Sequence, residues 1–313
     1  MKAVLCTKYG PPEVLQLEDV PKPTPKKNEV CVKIVATAAT ASDCILRGAK
    51  IPLWNPIGLS VRLVLGFTKP RNPIIGMVLA GEVESVGADV TKFKQGDAVY
   101  GMTGIGFGTY AEYKCLSETE CLVHKPARIS YEEAAAVAYG GLLAGHSLKK
   151  ANIQSGQKVL IYGASGAIGT TAVQLAKHLG VEVTGVCSTT NLALVKSLGA
   201  DAVIDYTKED LISRNERYDL ILDAVGKNKR SALKAQCKAV LTEQGQYLSV
   251  DDGMAKSLPE YLVTVNELLE TGHFQPVIDR CYPLEQIVEA HRYVDNGHKK
   301  GNVVITVSAK TQT

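Results

Sequence analysis

Hydrophobic residues in the first 125 positions form short runs that glycine and proline separate. Runs rich in β-branched residues, with turn residues between them, are typical of β-strands. This part of the chain therefore predicts a β-rich domain with one short helix at Ser42–Arg47, on which Asp43 and Arg47 have the spacing of an ion pair. The predicted strands are Lys2–Leu5, Val14–Leu17, Val30–Ala36, Ile75–Val86, Ala98–Tyr100 and Thr109–Cys115.

The pattern changes after Pro126, where strand-like and helical segments begin to alternate. Such alternation indicates a parallel sheet with helices on both faces. The predicted strands are Lys158–Tyr162, Val181–Cys187, Ala202–Ile204, Leu220–Asp223 and Gln246–Val250, and a last strand is expected at Val303–Val307. The predicted helices are Tyr131–Ala138, Ala167–Gly180, Leu192–Leu198 and Leu284–Val294.

Residues 49 to 73 follow neither pattern, because prolines interrupt a run of large apolar residues. Two interpretations are open for this segment. One is an apolar loop or short helix near a cleft, and the other is a contact surface for another subunit.

Composition narrows the class of protein. The chain has 313 residues, 45% of them hydrophobic, and a formal net charge of +3 with the two signs interspersed, which gives no sign of a nucleic-acid surface. No run reaches the roughly 18 apolar residues of a membrane span, and the N-terminus enters a strand pattern without a signal-peptide layout. Eight scattered cysteines without a Cys-x-x-Cys pair are typical of a reducing compartment rather than of a disulfide framework. We therefore expect a cytoplasmic protein with no nucleic-acid or membrane partner.

One glycine-rich loop carries recognisable chemistry. The strand run Val159–Tyr162 leads into Gly163-Ala164-Ser165-Gly166-Ala167-Ile168-Gly169 and then into a long helix. Small residues at this spacing let the chain turn sharply and let a pyrophosphate approach the backbone at the helix N-terminus. The loop predicts a Rossmann dinucleotide site; the alternative is a glycine-rich turn that binds nothing.

The end of the next strand indicates which dinucleotide is bound. NAD sites usually place an acidic residue there to hold the ribose 2′-hydroxyl. Here the strand ends in Cys187-Ser188-Thr189-Thr190-Asn191, which offers hydroxyl groups that suit a 2′-phosphate. We therefore expect NADPH (NADP), although the nearest cationic residue along the chain is Lys196.

Together with further blocks, these residues resemble the zinc-independent quinone oxidoreductase (zeta-crystallin-like) branch of the medium-chain dehydrogenase/reductase superfamily. The blocks cover nearly the whole chain and are Gly76–Val83 with Val86-Gly87, Phe93–Gly101, Tyr110–Tyr113, Ala134–Ala136, Gly163–Gly169 with Gln174–Lys177, Leu198–Asp201 and Ile204–Tyr206. The resemblance implies an α/β protein with a GroES-like β-rich catalytic domain at 1–125, completed by 266–313. A Rossmann domain with a doubly wound parallel sheet is then expected at 126–265, with the cofactor in a cleft and a homodimer as a possible assembly.

The resemblance also bears on metal binding. Alcohol dehydrogenases of the same superfamily hold a catalytic zinc with ligands near Thr40–Asp43, at Gly76-Met77-Val78 and near Tyr139-Gly140. Met77 and Val78 cannot replace the histidine and carboxylate that zinc needs. The resemblance therefore implies no metal.

Without zinc, the resemblance implies hydride transfer from NADPH to a small-molecule quinone or α,β-unsaturated carbonyl. The catalytic residues stay unassigned. Thr40, which stands where many relatives have Asn, and Tyr139 are the two candidates for polarising a carbonyl, and Leu143 stands where relatives have a nicotinamide-contacting Thr. The cofactor-binding residues that the resemblance implies are Ser165, Gly166, Ala167, Ile168, Ser188, Thr189, Tyr206, Val225, Gly226, Lys300 and Asn302.

Two alternatives to a quinone or enone reductase stay open: an enoyl-thioester or 2-alkenal reductase on the same scaffold, and a non-catalytic NADPH-binding sensor. The connection between Val250 and Leu262 is shorter than in relatives. It predicts a Rossmann sheet that is one strand short, and it weakens the expectation of dimerisation through that edge.

Overall fold

The computed structural model describes residues 1–49, 62–63, 65–226, 232–252 and 258–307. The chain divides into two compact units, one formed by Met1–Ala138 with Ile278–Thr313 and the other by Tyr139–Val277. The sequence instead suggested functional domains with limits at 125/126 and 265/266, and those limits stay a prediction. Most of the apolar segment between 49 and 73, namely 50–61 and 64, lies outside the described residues.

The described residues contain strands and helices in both units. The strands are β1 (Lys2–Cys6), β2 (Leu15–Asp19), β3 (Glu29–Ala39), β4 (Val78–Val86), β5 (Ala98–Met102), β6 (Tyr113–Ser117), β7 (Cys121–His124), β8 (Lys158–Tyr162), β9 (Glu182–Cys187), β10 (Ala202–Asp205), β11 (Tyr218–Asp223), β12 (Leu241–Ser249), β13 (Ile278–Pro283) and β14 (Asn302–Thr306). The helices are α1 (Ala41–Arg47), α2 (Tyr131–Ala151), α3 (Ala167–His178), α4 (Leu192–Ser197), α5 (Ala232–Cys237), α6 (Glu260–Thr271) and α7 (Ile287–Asp295). None of the described helices is long and apolar enough to cross a membrane.

The first unit is the β-rich part of the molecule. Its main sheet has the order β13-β14-β3-β4-β5-β7, and β6 pairs with β3 beside this path, while β1 and β2 form a separate antiparallel pair. Alternate residues of β3, Val30, Val32 and Ile34, are fully buried in one core cluster with residues of β4 and β5. The period-2 pattern of this strand therefore gives it one face on the core.

The second unit contains a parallel sheet with the order β10-β9-β8-β11-β12. Val159, Leu160 and Ile161 of β8 have no exposed surface, as expected for the central strand of a sheet covered on both faces. The predicted α/β fold, with a β-rich domain and a doubly wound parallel sheet, is confirmed. From the central strand β8, the chain adds β9 and β10 on one side of the sheet. It then crosses to the other side of β8 and adds β11. The carboxyl ends of β8 and β11 therefore mark a topological switch point.

The edge of this sheet beside β12 is the shortened one. Among the residues that the structure describes, the parallel sheet has five strands, whereas the six-stranded arrangement of this fold continues beyond that position. The prediction of a missing strand rested on the short connection after Val250, of which 253–257 lie outside the described residues, and it stays a prediction.

Glycines explain two of the element limits that differ from the expectations. Helix α2 runs to Ala151, beyond its predicted end at Ala138, and continues through Gly140 and Gly141; a Cβ at Gly140 would lie 2.6 Å from the carbonyl oxygen of Ala167, so the glycine permits close packing against α3. Strand β4 begins at Val78 rather than Ile75, because Gly76 has a φ of +93° that interrupts an extended strand.

Candidate cofactor site

The glycine loop lies between β8 and α3, as predicted. Gly163 ends the strand with a φ of +83°, which a residue with a side chain rarely adopts. A Cβ at Gly169 would lie 2.1 Å from the carbonyl oxygen of Gly163, so this glycine lets the first turn of α3 pack against the loop. Two of the three glycines are thus required by the protein's own packing.

Gly166 is different, because the protein does not fill the space beside it. A Cβ there would meet no atom closer than the carbonyl oxygen of Gly163 at 3.5 Å. Gly166 is the N-cap of α3 and has no capping side chain, and the first helical bond runs from the Thr170 amide to its carbonyl at 2.9 Å. The amides of Ala167 and Ile168 therefore have no partner within the helix. The open backbone and these donors fit a phosphate group.

Asn191 connects this loop with the end of β9. Its side-chain amide donates to Ser165 Oγ at 3.1 Å and to Ser188 Oγ at 3.3 Å, and the residue is 6% exposed. Its Oδ1 is buried without a hydrogen-bond partner. Because Ser165 Oγ accepts the bond from Asn191, its own proton stays available to a ligand. The predicted Ser165 and Ser188 are therefore brought together, by a residue that the sequence analysis did not single out.

A carboxylate also lies in this cluster, although it comes from the neighbouring strand. Asp205, the last residue of β10, accepts hydrogen bonds from the hydroxyls of Thr189 and Thr207, and these bonds lower the pKa of its carboxyl. The hydroxyl proton of Thr189 is thus bound to Asp205, which leaves Ser188 as the better donor. Lys208 Nζ lies 3.9 Å from the Asp205 carboxylate, whereas Lys196 Nζ bonds the carbonyl of Asp201 at 2.5 Å. Lys208, rather than Lys196, therefore places a positive charge beside this cluster.

Tyr206 and the residues after β11 complete the predicted contacts in the second unit. Tyr206 directly follows β10, is 42% exposed, and donates its amide to the carbonyl of Cys187 at 3.1 Å. Tyr206 follows Asp205 directly in the chain and therefore comes right after the hydroxyl cluster. Its ring is exposed, as a contact with the adenosine of a cofactor requires. Val225 and Gly226 lie at the carboxyl end of β11.

A buried carboxylate, Asp223, fixes the loop that holds Val225 and Gly226. Its Oδ1 accepts the amides of both residues at 3.1 Å. Its Oδ2 lies 2.6 Å from Lys234 Nζ and 2.8 Å from the hydroxyl of Tyr247, and this bond and burial raise the pKa of the Tyr247 hydroxyl. Asp223 has no exposed surface, so its charge depends on these partners. A sequence signal was present, since an acidic residue ends a buried strand just before the predicted Val225-Gly226 contact.

The remaining predicted residues lie as follows. Lys300 and Asn302 belong to the first unit; Lys300 donates its amide to Asp279 Oδ2 at 2.9 Å, and Asn302 begins β14 and is 4% exposed. Tyr139 lies on α2 and is 8% exposed. These positions alone assign no role to the three side chains.

Thr40 is the N-cap of α1. Its Oγ1 donates to Asp43 Oδ2 at 2.6 Å and accepts the Asp43 amide at 3.2 Å. This reciprocal capping box uses the hydroxyl proton of Thr40. In this geometry the proton is held by Asp43 rather than offered to a substrate carbonyl.

Asp43 and Arg47 do not form the ion pair that their spacing suggested. Asp43 is fully buried, and burial raises the pKa of its carboxyl to about 6. The guanidinium of Arg47 instead pairs with Asp295 and donates to His291 Nδ1 at 2.8 Å. His291 Nε2 therefore carries the proton and lies 3.1 Å from the hydroxyl of Tyr110. The i,i+4 expectation was wrong because a partner on α7 lies within reach of the buried arginine.

At the positions where zinc-dependent relatives have ligands, Met77 is partly buried and Val78 is fully buried. Among the described residues, no three His, Cys, Asp or Glu side chains are grouped so that they could hold a metal ion.

Comparison with known protein families agrees with this architecture. The alcohol dehydrogenase GroES-like domain matches residues 26–127, and the zinc-binding dehydrogenase family matches residues 167–273, with a second model of that description over 251–305. The matched ranges fall in both the β-rich part and the part with the parallel sheet.

Individual relatives are similar over nearly the whole chain. The 2-methylene-furan-3-one reductase of Solanum lycopersicum is 33% identical over 97% of this chain and 79% of its own. The chloroplastic NADPH-dependent alkenal/one oxidoreductase of Arabidopsis thaliana is 29% identical over the same shares. The structure of the quinone oxidoreductase from Coxiella burnetii superposes with a TM-score of 0.85 at 28% identity, covering 98% of this chain and 99% of that one. The chain belongs to the medium-chain dehydrogenase/reductase superfamily, among relatives that are named quinone and alkenal reductases.

Proposed function

We propose that the protein is an NADPH-dependent oxidoreductase that transfers a hydride to a quinone or an α,β-unsaturated carbonyl compound without zinc. The observation that carries this proposal is the open, uncapped N-terminus of α3 at Gly166, linked through Asn191 to the hydroxyl of Ser188. This arrangement suits a dinucleotide whose pyrophosphate contacts the helix and whose ribose phosphate contacts Ser188. The nicotinamide supplies the hydride when the cofactor is bound.

The choice of NADPH rests on the charge and donors around Ser188. Strand β9 ends without an acidic residue, so nothing there replaces the carboxylate that binds the 2′-hydroxyl of NADH. The nearby Asp205 is occupied by Thr189 and Thr207, and Lys208 offsets its charge. The Arabidopsis relative is described as NADPH-dependent, which supports the same cofactor here.

The absence of a zinc site follows from residue chemistry at the expected ligand positions. A thioether and an alkyl side chain, Met77 and Val78, stand where the zinc-dependent relatives have a histidine and a carboxylate. We therefore propose that the protein positions the acceptor, and that solvent supplies the proton. Thr40 and Tyr139 stay candidates for a hydrogen bond to the acceptor, with Tyr139 favoured because the Thr40 proton is held by Asp43.

The acceptor class follows from the relatives. Two of them are named for the reduction of an alkenal or enone, and the structure from Coxiella burnetii is that of a quinone oxidoreductase. All of these acceptors contain an electron-poor double bond conjugated to a carbonyl. We propose such small molecules as substrates, and a cytoplasmic location and a homodimer as the setting, although the Arabidopsis relative is chloroplastic.

Initial rates of NADPH and NADH oxidation test the proposal, with a small quinone and a 2-alkenal as acceptors. We expect NADPH to be used at least about tenfold better in kcat/KM, which corresponds to about 1.4 kcal/mol. A metal chelator is expected to leave the rate unchanged. Consumption of NADH at an equal kcat/KM would overturn the cofactor assignment, and loss of activity with the chelator would overturn the zinc-free mechanism.

The Ser188→Ala variant locates the specificity, with Ser197→Ala on the exposed face of α4 as its matched control. We expect Ser188→Ala to raise the KM for NADPH several-fold and to leave the KM for NADH unchanged, because only NADPH carries the phosphate that Ser188 contacts. Equal changes for both cofactors, or an equal effect of Ser197→Ala, would contradict the assignment.

A further inference from the structure

Two cysteines of the first unit lie directly opposite each other on neighbouring strands. Strands β3 and β6 are antiparallel, and Cys31 pairs with Cys115 in a register that is unbroken from Glu29 to Lys33. The two residues are 84 positions apart in the chain, by subtraction of their numbers, so their proximity is a result of the fold. The spacing of the two cysteines in the sequence is not a Cys-x-x-Cys motif and does not indicate this pair.

The backbone hydrogen bonds that join the two segments on either side of this pair show whether it is a hydrogen-bonded or a non-hydrogen-bonded pair. The amide of Ile34 donates to the carbonyl of Glu112 at 2.8 Å, and the amide of Glu118 donates to the carbonyl of Asn28 at 3.2 Å. Hydrogen-bonded and non-hydrogen-bonded pairs alternate along an antiparallel ladder. The bonded positions Asn28, just before β3, and Ile34, within it, each lie three residues from Cys31. Because this number is odd, Cys31 is in a non-hydrogen-bonded pair.

Non-hydrogen-bonded positions bring side chains together most closely. Their Cα atoms are about 4.5 Å apart, which lies within the separation of about 4.4 to 6.8 Å that disulfides span. A disulfide between Cys31 and Cys115 therefore needs no displacement of either strand.

The two thiols already interact. A hydrogen bond from Cys115 to the sulfur of Cys31 lowers the pKa of the Cys31 thiol. The same hydrogen bond raises the pKa of the Cys115 thiol, and burial raises it further. Lys22, whose ammonium lies 4.0 Å from the ring centroid of Tyr113, adds a positive charge that favours a thiolate at Cys31. Ser85 also hydrogen-bonds Cys31, while the carboxylate of Glu84 acts in the opposite sense. The contact between the two thiols therefore favours a thiolate at Cys31 and a protonated thiol at Cys115.

The two sulfurs differ in exposure. Cys31 has no exposed surface, while Cys115 is half-buried. The thiolate that is favoured at Cys31 can take the proton of Cys115 as the half-exposed sulfur of Cys115 reacts. An oxidant reaches Cys115 first, and Cys31 is in place to react next.

We propose that Cys31 and Cys115 form a redox modification site, at which a hydroperoxide converts the two thiols into an intramolecular disulfide. In the first step Cys115 takes an oxygen atom from the hydroperoxide, which gives a sulfenic acid and releases an alcohol, or water if the oxidant is hydrogen peroxide. In the second step the sulfur of Cys31 displaces this oxygen as water and the S–S bond forms. Two thiols are oxidised, one O–O bond is reduced, and a dithiol reductant reverses the change.

Peptide mapping of the full chain tests the proposal. The reduced protein is treated with hydrogen peroxide, alkylated with N-ethylmaleimide after denaturation, and digested with trypsin without reduction. We expect the loss of two of the eight alkylatable thiols and one cross-linked species that joins the peptides of Cys31 and Cys115. Cys121 is in the same tryptic peptide as Cys115, so fragment ions must place the bond on Cys115. Dithiothreitol is expected to restore both thiols.

Variants provide the controls. Cys31→Ser and Cys115→Ser should each abolish the cross-linked species, while Cys281→Ser, which removes an exposed cysteine elsewhere in the same unit, should leave it intact. If a serine variant does not fold, the alanine variant and the wild-type peptide map decide the question. Thiol loss without a Cys31–Cys115 link, or eight alkylatable thiols after excess peroxide, would overturn the proposal.

Discussion

Individual glycines of the loop after β8 have separate tasks. Gly169 is required because any Cβ would collide with the carbonyl of Gly163, whereas Gly166 has open space beside it. A single motif in the sequence therefore contains one position set by packing and another that we propose is set by the ligand.

Substitution separates these two tasks. Gly166→Ala is expected to keep the fold, with a cost of about 1 kcal/mol or less at the N-cap, and to weaken NADPH binding at least about tenfold, because a methyl group enters the phosphate space. Gly169→Ala should instead lower the free energy of unfolding by about 1 to 3 kcal/mol through overpacking. Thermal unfolding and NADPH titration check both variants. Tight NADPH binding by Gly166→Ala would contradict the phosphate assignment.

His291 is a second residue with a measurable signature. Burial and the neighbouring Arg47 lower the pKa of its imidazole from 6.5 to about 3. Between these two values the unfolded chain binds a proton that the folded chain does not, so folding is destabilised as the pH falls, by up to about 1.4 kcal/mol per pH unit. The stability contribution of a neutral His291 is complete above pH 6.5 and is lost toward pH 3.

His291→Gln tests this pH dependence, because the glutamine amide can accept from Arg47 and donate to Tyr110 without titrating. Between pH 6.5 and 4, we expect the free energy of unfolding of the wild type to fall more steeply than that of the variant. Asp43, whose raised pKa acts in the opposite direction, is present in both proteins and cancels in the comparison. Parallel curves from chemical denaturation would show that His291 is not neutral in the fold.

At the level of elements, the loop after β11 depends on three structures that meet at Asp223. The carboxylate of Asp223, at the end of β11, forms an ion pair with Lys234 of α5 and accepts hydrogen bonds from the hydroxyls of Tyr247 and Ser249 of β12. The ion pair is almost completely removed from water, with side-chain exposures of 13% and 0%. This convergence holds the backbone of Val225 and Gly226.

Lys234→Met should therefore affect both stability and cofactor binding. Removal of the ammonium leaves a buried carboxylate without its cation, which costs about 3 kcal/mol or more, and it releases the loop. Lys238→Met, at an exposed position of the next turn, is the matched control and should change stability by less than about 0.5 kcal/mol. Denaturant unfolding and NADPH titration measure the two effects; equal behaviour of the two variants would contradict the role of the ion pair.

The alternation of strands and helices after Pro126 was sufficient to predict the parallel sheet, because its strands β8 and β11 contain continuous hydrophobic runs. Helix α6 was not predicted, and α2 was predicted too short, since glycines that serve close packing look like helix ends in the sequence. The Asp223 and Asn191 networks were also missed. Their partners come from other strands and helices, and no spacing along the chain shows which distant side chains will meet.

For the whole molecule, the comparisons and the fold place the chain in one superfamily, while its own residues distinguish it within that group. Met77 and Val78 stand where we propose that zinc-dependent relatives have their ligands, Ser188 follows β9, and among the described residues the parallel sheet ends at β12. The family could be recognised from several sequence blocks in the right order. The pairing of Cys31 with Cys115 could not, because it depends on the register of two strands.

Hydride transfer is the central claim, and isotopic labelling measures it directly. The protein is incubated with an α,β-unsaturated ketone and NADPH deuterated at the reactive carbon of its nicotinamide, and the product is analysed by mass spectrometry and NMR. We predict one deuterium on the β-carbon of the saturated ketone and a solvent proton on the α-carbon. Binding of NADPH without any labelled product, with this acceptor or with a quinone, would contradict the account and would favour a non-catalytic NADPH-binding protein.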